Sequence, residues 1–163
     1  MADDVWVVNA SPIIALAKVD RLDLLLVPSR TLVIPEAVAA EIAAGPPDDP
    51  ARVALSQGFG GTPVPTEISP AVAAWGLGQG ESAVLSLAAE RGAVAILDDR
   101  DARRAAKTMG ITILGTLGVI IRARAEGRIE SATEILKALQ ENGLRLNREL
   151  VATALKRAFG EEF

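Results

Sequence analysis

Short, continuous apolar runs alternate along the chain with stretches in which apolar residues return every three to four positions. The first run, Val5 to Val8, has the length and β-branched content of a buried parallel strand and stops at Asn9. Ser11 and Pro12 then supply a cap and a preset first helical turn, and Ile13, Leu16, Ala17, Leu24 and Leu25 carry an apolar face that predicts helix one to about Leu26. A second strand is expected over Thr31 to Ile34, and a second helix from Pro35 to about Ala44, closed by GPPDDP. Between Ala51 and Trp75 the pattern weakens to a short helix, an extended piece over Thr62 to Ile68 and another short helix near Ser69.

From Gly80 the period is clear again: Glu81, Val84, Leu85 and Ala88 share a helical face, Gly92 ends it, and Ala93 to Leu97 reads as strand three. A helix over Asp101 to Met109, a fourth strand over Ile111 to Leu114, and three helices broken near Gly127 and Gly143 complete the chain. Strands that alternate with helices form a parallel sheet with right-handed crossovers and helices on both faces. With no repeat, low-complexity tract or linker, residues 1–163 are expected to form one domain. Ligands on such sheets bind beyond the strand C-termini, so the residues that follow each strand are the ones to inspect.

Composition narrows the chemistry available there. The 163 residues contain no Cys and no His, which excludes thiolate nucleophiles, the Ser-His-Asp triad and every thiolate- or imidazole-ligated metal. Lack of Cys also fits a reducing compartment, and MADDVWVV has neither the basic start nor the apolar core of a signal peptide, so a cytoplasmic location is expected. No apolar run is long enough to span a bilayer. A net charge of −4, from 17 Lys and Arg against 21 Asp and Glu, gives no global attraction to nucleic acid, so such binding would need local basic patches.

The remaining chemistry is carboxylate, amide and hydroxyl. Asn9 and Ser11 follow strand one directly, either as caps of helix one or as members of a site. Glu41 lies close to the apolar stripe of helix two, where it either marks the stripe's boundary or faces a partner. Glu81 opens the helix before strand three, a position that the helix dipole favours in any case. Asp98, Asp99 and Asp101 crowd the end of strand three. One can cap the next helix, but adjacent like charges repel by roughly 4 kcal/mol at an effective dielectric near 20, a cost that a bound cation would offset. With oxygen donors alone, that cation would be Mg²⁺ or Mn²⁺.

These residues resemble the PIN domain, a family of metal-dependent ribonucleases that includes VapC-type toxins. The likeness runs from about Val5 to Phe159 and rests on Asn9 in VVNASPII, Glu41 in PEAVAAEI, Glu81 in GQGESAVLSLA, and Asp99 and Asp101 in ILDDRDAR, with Asp98 in the middle of a T-N-D-like triplet. In combination, NASPIIALAKVDRLDLL, ILGTLGVIIRARAEG and GLRLNRELVATAL are similar to an uncharacterised, toxin-like prokaryotic branch.

The resemblance implies a three-layer α/β/α sandwich with a parallel sheet of about four to five strands. It also implies a divalent-metal ribonuclease, with Asn9, Ser11, Glu41, Glu81 and Asp99 at the reacting centre and Asp98 and Asp101 in support. An antitoxin and a second copy of the chain are the protein partners implied. One departure stands out: the family's strand-one acid is here Asn9, which offers a neutral oxygen and cannot act as a base.

Arg100, Arg103, Arg104 and Lys107, with Arg122, Arg124 and Arg128, are candidate contacts to an RNA backbone, and the GTLG turn at Gly115 to Gly118 is a candidate phosphate contact or a plain strand-to-helix turn. The alternative to an enzyme is a catalytically weak PIN-fold module that binds protein or regulates. A dinucleotide-binding or receiver domain fits poorly, because NASPIIA contains no glycine and the paired acids follow strand three rather than strand one.

Overall fold

The computed structural model describes residues 5–163. Met1 to Asp4, on which the reading of a leaderless start partly rests, lie outside the described residues. Four strands, β1 (Val5–Val8), β2 (Thr31–Val33), β3 (Val94–Ile96) and β4 (Ile113–Leu114), form one all-parallel sheet in the order β2-β1-β3-β4. Val7 pairs with Val33 on one side and Ala95 on the other, so β1 and β3 are central and read as unbroken apolar runs.

Helices α1 (Ala10–Lys18), α2 (Glu36–Ala43), α3 (Pro50–Ser56), α4 (Pro70–Ala73), α5 (Gln79–Arg91), α6 (Arg100–Thr108), α7 (Thr116–Ala125), α8 (Ala132–Glu141) and α9 (Arg148–Phe159) flank it. The crossover from β1 to β2 runs one way across the sheet, and those from β2 to β3 and β3 to β4 run the other. Right-handed connections therefore place α1 on one face and α5 and α6 on the opposite face. Contacts agree: α5 touches β1, β3 and α6, while α7 and α8 close over the α1 side. This is the expected three-layer α/β/α sandwich. Because the winding reverses between β1 and β3, a crevice opens beyond their C-terminal ends. The peptide N–H of Asn9 donates to the Ile96 carbonyl at 2.9 Å and brings the two strand exits side by side.

Three expectations about boundaries need correction. Helix one ends at Lys18, not near Leu26, because Asp20 takes a left-handed conformation (φ 55°) and the chain restarts as a 3₁₀ turn over Leu22–Leu25. Leu24 and Leu25 are each only 1% exposed, so the apolar period continues across a break in the backbone. The N-terminus of α1 also lies two residues earlier than Ser11-Pro12 suggested: Asn9 holds the N-cap position and Pro12 sits inside the first turn. Finally, strand four is shorter than Ile111 to Leu114, because the Ile111 N–H is used to close α6 on the Ala106 carbonyl (2.9 Å). The extended piece at Thr62 to Ile68 contributes one parallel bridge, Val64 beside Pro35.

Candidate metal centre

At the mouth of the β1/β3 crevice Asn9 is buried, 1% exposed. It occupies the N-cap position of α1 but makes no side-chain cap, so the reading of Asn9 as a capping residue does not hold. Pro12, at the third helical position, lacks the N–H that an N-cap oxygen commonly accepts. The side chain instead turns toward α5, where Nδ2 donates to Glu81 Oε1 at 3.4 Å. Among the described residues no donor reaches its Oδ1. A buried carbonyl oxygen without a partner costs roughly 1–3 kcal/mol, which a bound cation would recover.

Gly80 makes this arrangement feasible. A Cβ built there would stand 3.2 Å from Asn9 Oδ1 and 3.8 Å from Glu41 Oε1, so both oxygens lie over one bare stretch of α5. The carboxyl of Glu41 is held above the usual carboxylate range, first by desolvation and then by the charge of Glu81. Helix α2 against α5, and α5 against β1, thus bring Asn9, Glu41 and Glu81 together from 72 residues of sequence. Ser11 is exposed on the first turn of α1 and, with Glu41, lines a cleft of ≈ 290 Å³ that runs past Lys18 to Asn142.

The acids after β3 are used differently. Asp98 spans to the start of α7, accepting from the Thr116 N–H at 2.8 Å with Oδ1 and from the Thr116 hydroxyl at 2.5 Å with Oδ2. Asp99 caps α6, accepting from the Ala102 N–H at 2.9 Å. Asp101 is exposed in the first turn of α6. Two of the three acids are thus engaged at helix N-termini, which relieves part of their crowding. Asp98 also lies across the GTLG turn, taking the Thr116 N–H, which favours the plain strand-to-helix turn of the two readings given for it.

The basic residues separate equally clearly. Arg122 lies 6.0 Å over the Trp6 ring, Arg124 pairs with Glu161 (3.0 Å) and stacks on Phe159, and Arg128 donates to the carbonyls of Asp23 and Leu26. These three hold the fold together. Arg100, Arg103, Arg104 and Lys107 stand exposed on α6.

Residues 5–160, nearly the whole of the chain, match the family model of the PIN domain. The chain belongs to the PIN-domain family. Neither the curated proteins nor the solved structures contain a match to it. The PIN domain is a nuclease-type fold that generally works with divalent metals.

The donor set beside Gly80 fits such an ion. The Asn9 carbonyl and the Glu41 and Glu81 carboxylates are hard oxygen donors of the kind Mg²⁺ and Mn²⁺ take, and among the described residues no donor reaches the Asn9 oxygen. Among the described residues, no three acidic side chains already stand together as a metal-holding cluster. Gly80 is the member of this edge that sequence reasoning passed over, with the glycines of GQGES as the available signal, while Thr116 was read only as part of the GTLG turn and not as a partner of Asp98.

Proposed function

We propose that this PIN domain is a divalent-metal-dependent ribonuclease, with Asn9, Glu41, Glu81 and Asp99 holding Mg²⁺ or Mn²⁺ and Asp98 and Asp101 in support. The observation that carries the reading is the buried Asn9 Oδ1, without a hydrogen-bond partner among the described residues, near the Glu41 carboxylate. A bound ion would acidify a water and stabilise the leaving oxygen of a phosphodiester.

The chain's own groups have separate tasks. Glu81 accepts from Asn9 Nδ2 and fixes the amide so that Oδ1 faces Gly80. Glu41 contributes a carboxylate held above the usual range by desolvation and by the charge of Glu81, and a cation would offset both. Asp99 keeps the start of α6 against the crevice, and Asp98 ties the exit of β3 to α7. Ser11 places a hydroxyl at the rim of the adjoining cleft. With no imidazole, proton transfer falls to carboxylates or water.

A toxin role, an antitoxin partner, a homodimer and a cytoplasmic location belong to the same proposal and follow from the family likeness. For a protein partner the exposed Leu150 and Trp75 supply apolar surface. Among the described residues no helix is long and apolar enough to cross a membrane.

A second reading, a catalytically weak module that binds protein or regulates, is favoured by the neutral Asn9 and by the lack of a preformed acidic cluster among the described residues. One experiment separates the two: calorimetric titration of Mg²⁺ or Mn²⁺ into wild type, Asn9→Asp, Glu81→Gln and Asp99→Asn, followed by RNA cleavage with the same samples. Wild-type binding and cleavage, both lost in the last two variants, support the nuclease. Asp99→Asn is informative because Asn caps helices as well as Asp does. No wild-type binding, with recovery in Asn9→Asp, supports the second reading.

A further inference from the structure

Strand β4 is an outer strand of the sheet, with β3 on its inner side. Thr112 and Leu114 turn their carbonyls toward the N–H groups of Ala95 and Leu97, so by the alternation of a parallel ladder the N–H and C=O of Ile113 point away from the sheet. The edge sequence, Ile111 to Leu114, holds neither a charge nor a proline, the residues that usually guard an open edge against a passing strand. Thr112 is exposed and Ile113 is partly so.

Helix α6 packs beside this edge. Ile111 and Ile113, with Arg100, Arg103, Arg104, Lys107 and Asp98, line a groove of ≈ 550 Å³ between strand and helix. The four cations recur at spacings of three and four within an arc of roughly 100°, while Ala102, Ala105 and Ala106 on the opposite arc are fully buried. Among the described residues none of the four forms an ion pair, although the chain has more acidic than basic side chains. Like charges at these spacings destabilise a helix, so the row is a burden on the isolated fold.

We infer that the β4 edge and α6 together take an extended, acidic segment of a partner protein, added to the sheet as a fifth strand. The inference goes beyond the ribonuclease reading and does not depend on it. Hydrogen bonds to Ile113 would seat any extended segment, and the cations select one whose side chains on the α6 face are carboxylates. Every second residue of an added strand lies on that face, and the row on α6 is about 10 Å long, which gives room for about two carboxylates. RNA fits this groove less well, because its sugar–phosphate chain offers Ile113 no matching peptide groups and no aromatic side chain lines the groove for a base to stack on. A second copy that paired its own β4 here across a two-fold axis would bring its α6 cations up to these. Asp98 closes the inner end of the groove and repels an acidic segment, so the partner lies beside the crevice rather than in it.

The probe is a fluorescent peptide of about eight residues in which Glu and Val alternate, long enough for one strand. Its binding to the full-length chain is followed by anisotropy, beside a peptide in which Lys and Val alternate and beside two forms of the acidic peptide that carry backbone N-methyl groups on every Glu or on every Val. One set of N–H groups faces Ile113 and the other faces away, so one methylated form should lose binding at least tenfold while the other keeps it. Arg103→Ala/Arg104→Ala should weaken the acidic peptide at least tenfold, Lys137→Ala, an exposed cation on α8, should not, and the basic peptide should not bind. Hydrogen exchange of the Ile113 amide should slow when the acidic peptide saturates the protein. The double variant should melt at or above wild type, because Ala favours helix and the repulsion is reduced.

No binding of the acidic peptide, equal binding of the two methylated forms, an equal loss in Lys137→Ala, or unchanged exchange at Ile113 would overturn the inference. A single-stranded oligoribonucleotide that binds and loses affinity in the double variant, where the acidic peptide does not bind at all, would give the groove to RNA instead. The expected peptide pattern without any RNA cleavage in Mg²⁺ or Mn²⁺ would keep the docking edge and remove the nuclease.

Discussion

Asn9 and Glu81, 72 residues apart, meet through one hydrogen bond of 3.4 Å, and that contact turns the Asn9 carbonyl oxygen toward Gly80, where no donor among the described residues reaches it. The amide is thus oriented by one ligand candidate so that it can serve as another. Carboxylate-oriented ligands of this type are a common device for tuning a metal site.

Asn9→Asp should therefore change the two states of the protein in opposite directions. Without metal, a third carboxylate beside Glu41 and Glu81 adds repulsion and should lower stability by the order of 1–3 kcal/mol. With Mg²⁺ or Mn²⁺ the added charge should tighten binding at least tenfold. Melting curves in EDTA and in excess metal check this, and a variant whose melting temperature is indifferent to metal would count against the site.

Gly80→Ala separates site from scaffold. Within a helix the change favours folding by up to about 1 kcal/mol. The new methyl, however, would sit 3.2 Å from Asn9 Oδ1 and displace it by a few tenths of an ångström. Stability should be kept or slightly raised, while metal affinity falls severalfold. Calorimetry and thermal melts on one preparation give both numbers.

The Asp98 and Thr116 pair should behave as a coupled unit. Thr116→Val removes the hydroxyl donor and should cost about 1–2 kcal/mol, Asp98→Ala about 3 kcal/mol because the Thr116 groups lose their charged acceptor, and the double variant less than the sum. Denaturant unfolding measures the cycle. Additive losses would mean that Asp98 does not brace α7.

Acid should weaken the protein through Glu161. Burial alone would raise its pKa, but the N–H groups of Thr133 and Ala132 and the Ser131 hydroxyl overcome this and hold it at about 2, against an ordinary 4.5. The folded state thus binds fewer protons than the unfolded state between these values, so this contribution is full above pH 4.5 and is lost as pH falls toward 2. Glu161→Gln should melt lower than wild type at neutral pH and show a flatter pH profile between 4.5 and 2. Parallel profiles would assign the acid sensitivity to other groups.

Much of this architecture is legible in the residues. Val5 to Val8 and Ala93 to Leu97 announce central parallel strands because both faces are buried and no polar residue interrupts them. The C-terminal edge of the sheet as the place to look follows from general rules, whereas the strand order that opens the crevice between β1 and β3 comes from the structure. The break at Asp20 is not legible, because Leu24 and Leu25 keep the same apolar face on either side of it. Nor is the division of labour among the acids. Asp98 and Thr116 are 18 residues apart, and only the packing of α7 on the sheet decides that one carboxylate braces a helix while Glu41 and Glu81 face an unsatisfied amide. The basic residues show the same limit: RARAEGR and RDARRAAK read alike, yet Trp6, Glu161 and the Asp23 carbonyl claim the first set and leave the second exposed.

The carboxylate of Asp98 at the head of α7 also shapes the electric field around the crevice. A helix start is a positive pole, and here it is cancelled from within the protein. The carboxylates of Glu41 and Glu81 stand at the crevice, while the cations of α6 stand exposed beyond Asp99. At physiological ionic strength charges are felt over about 8 Å, so an approaching polyanion would be drawn along α6 and then repelled over the last step. Cations carried in with it, or seated beside Gly80, would flatten that barrier, so under the proposed function divalent ions would act on arrival as well as on chemistry.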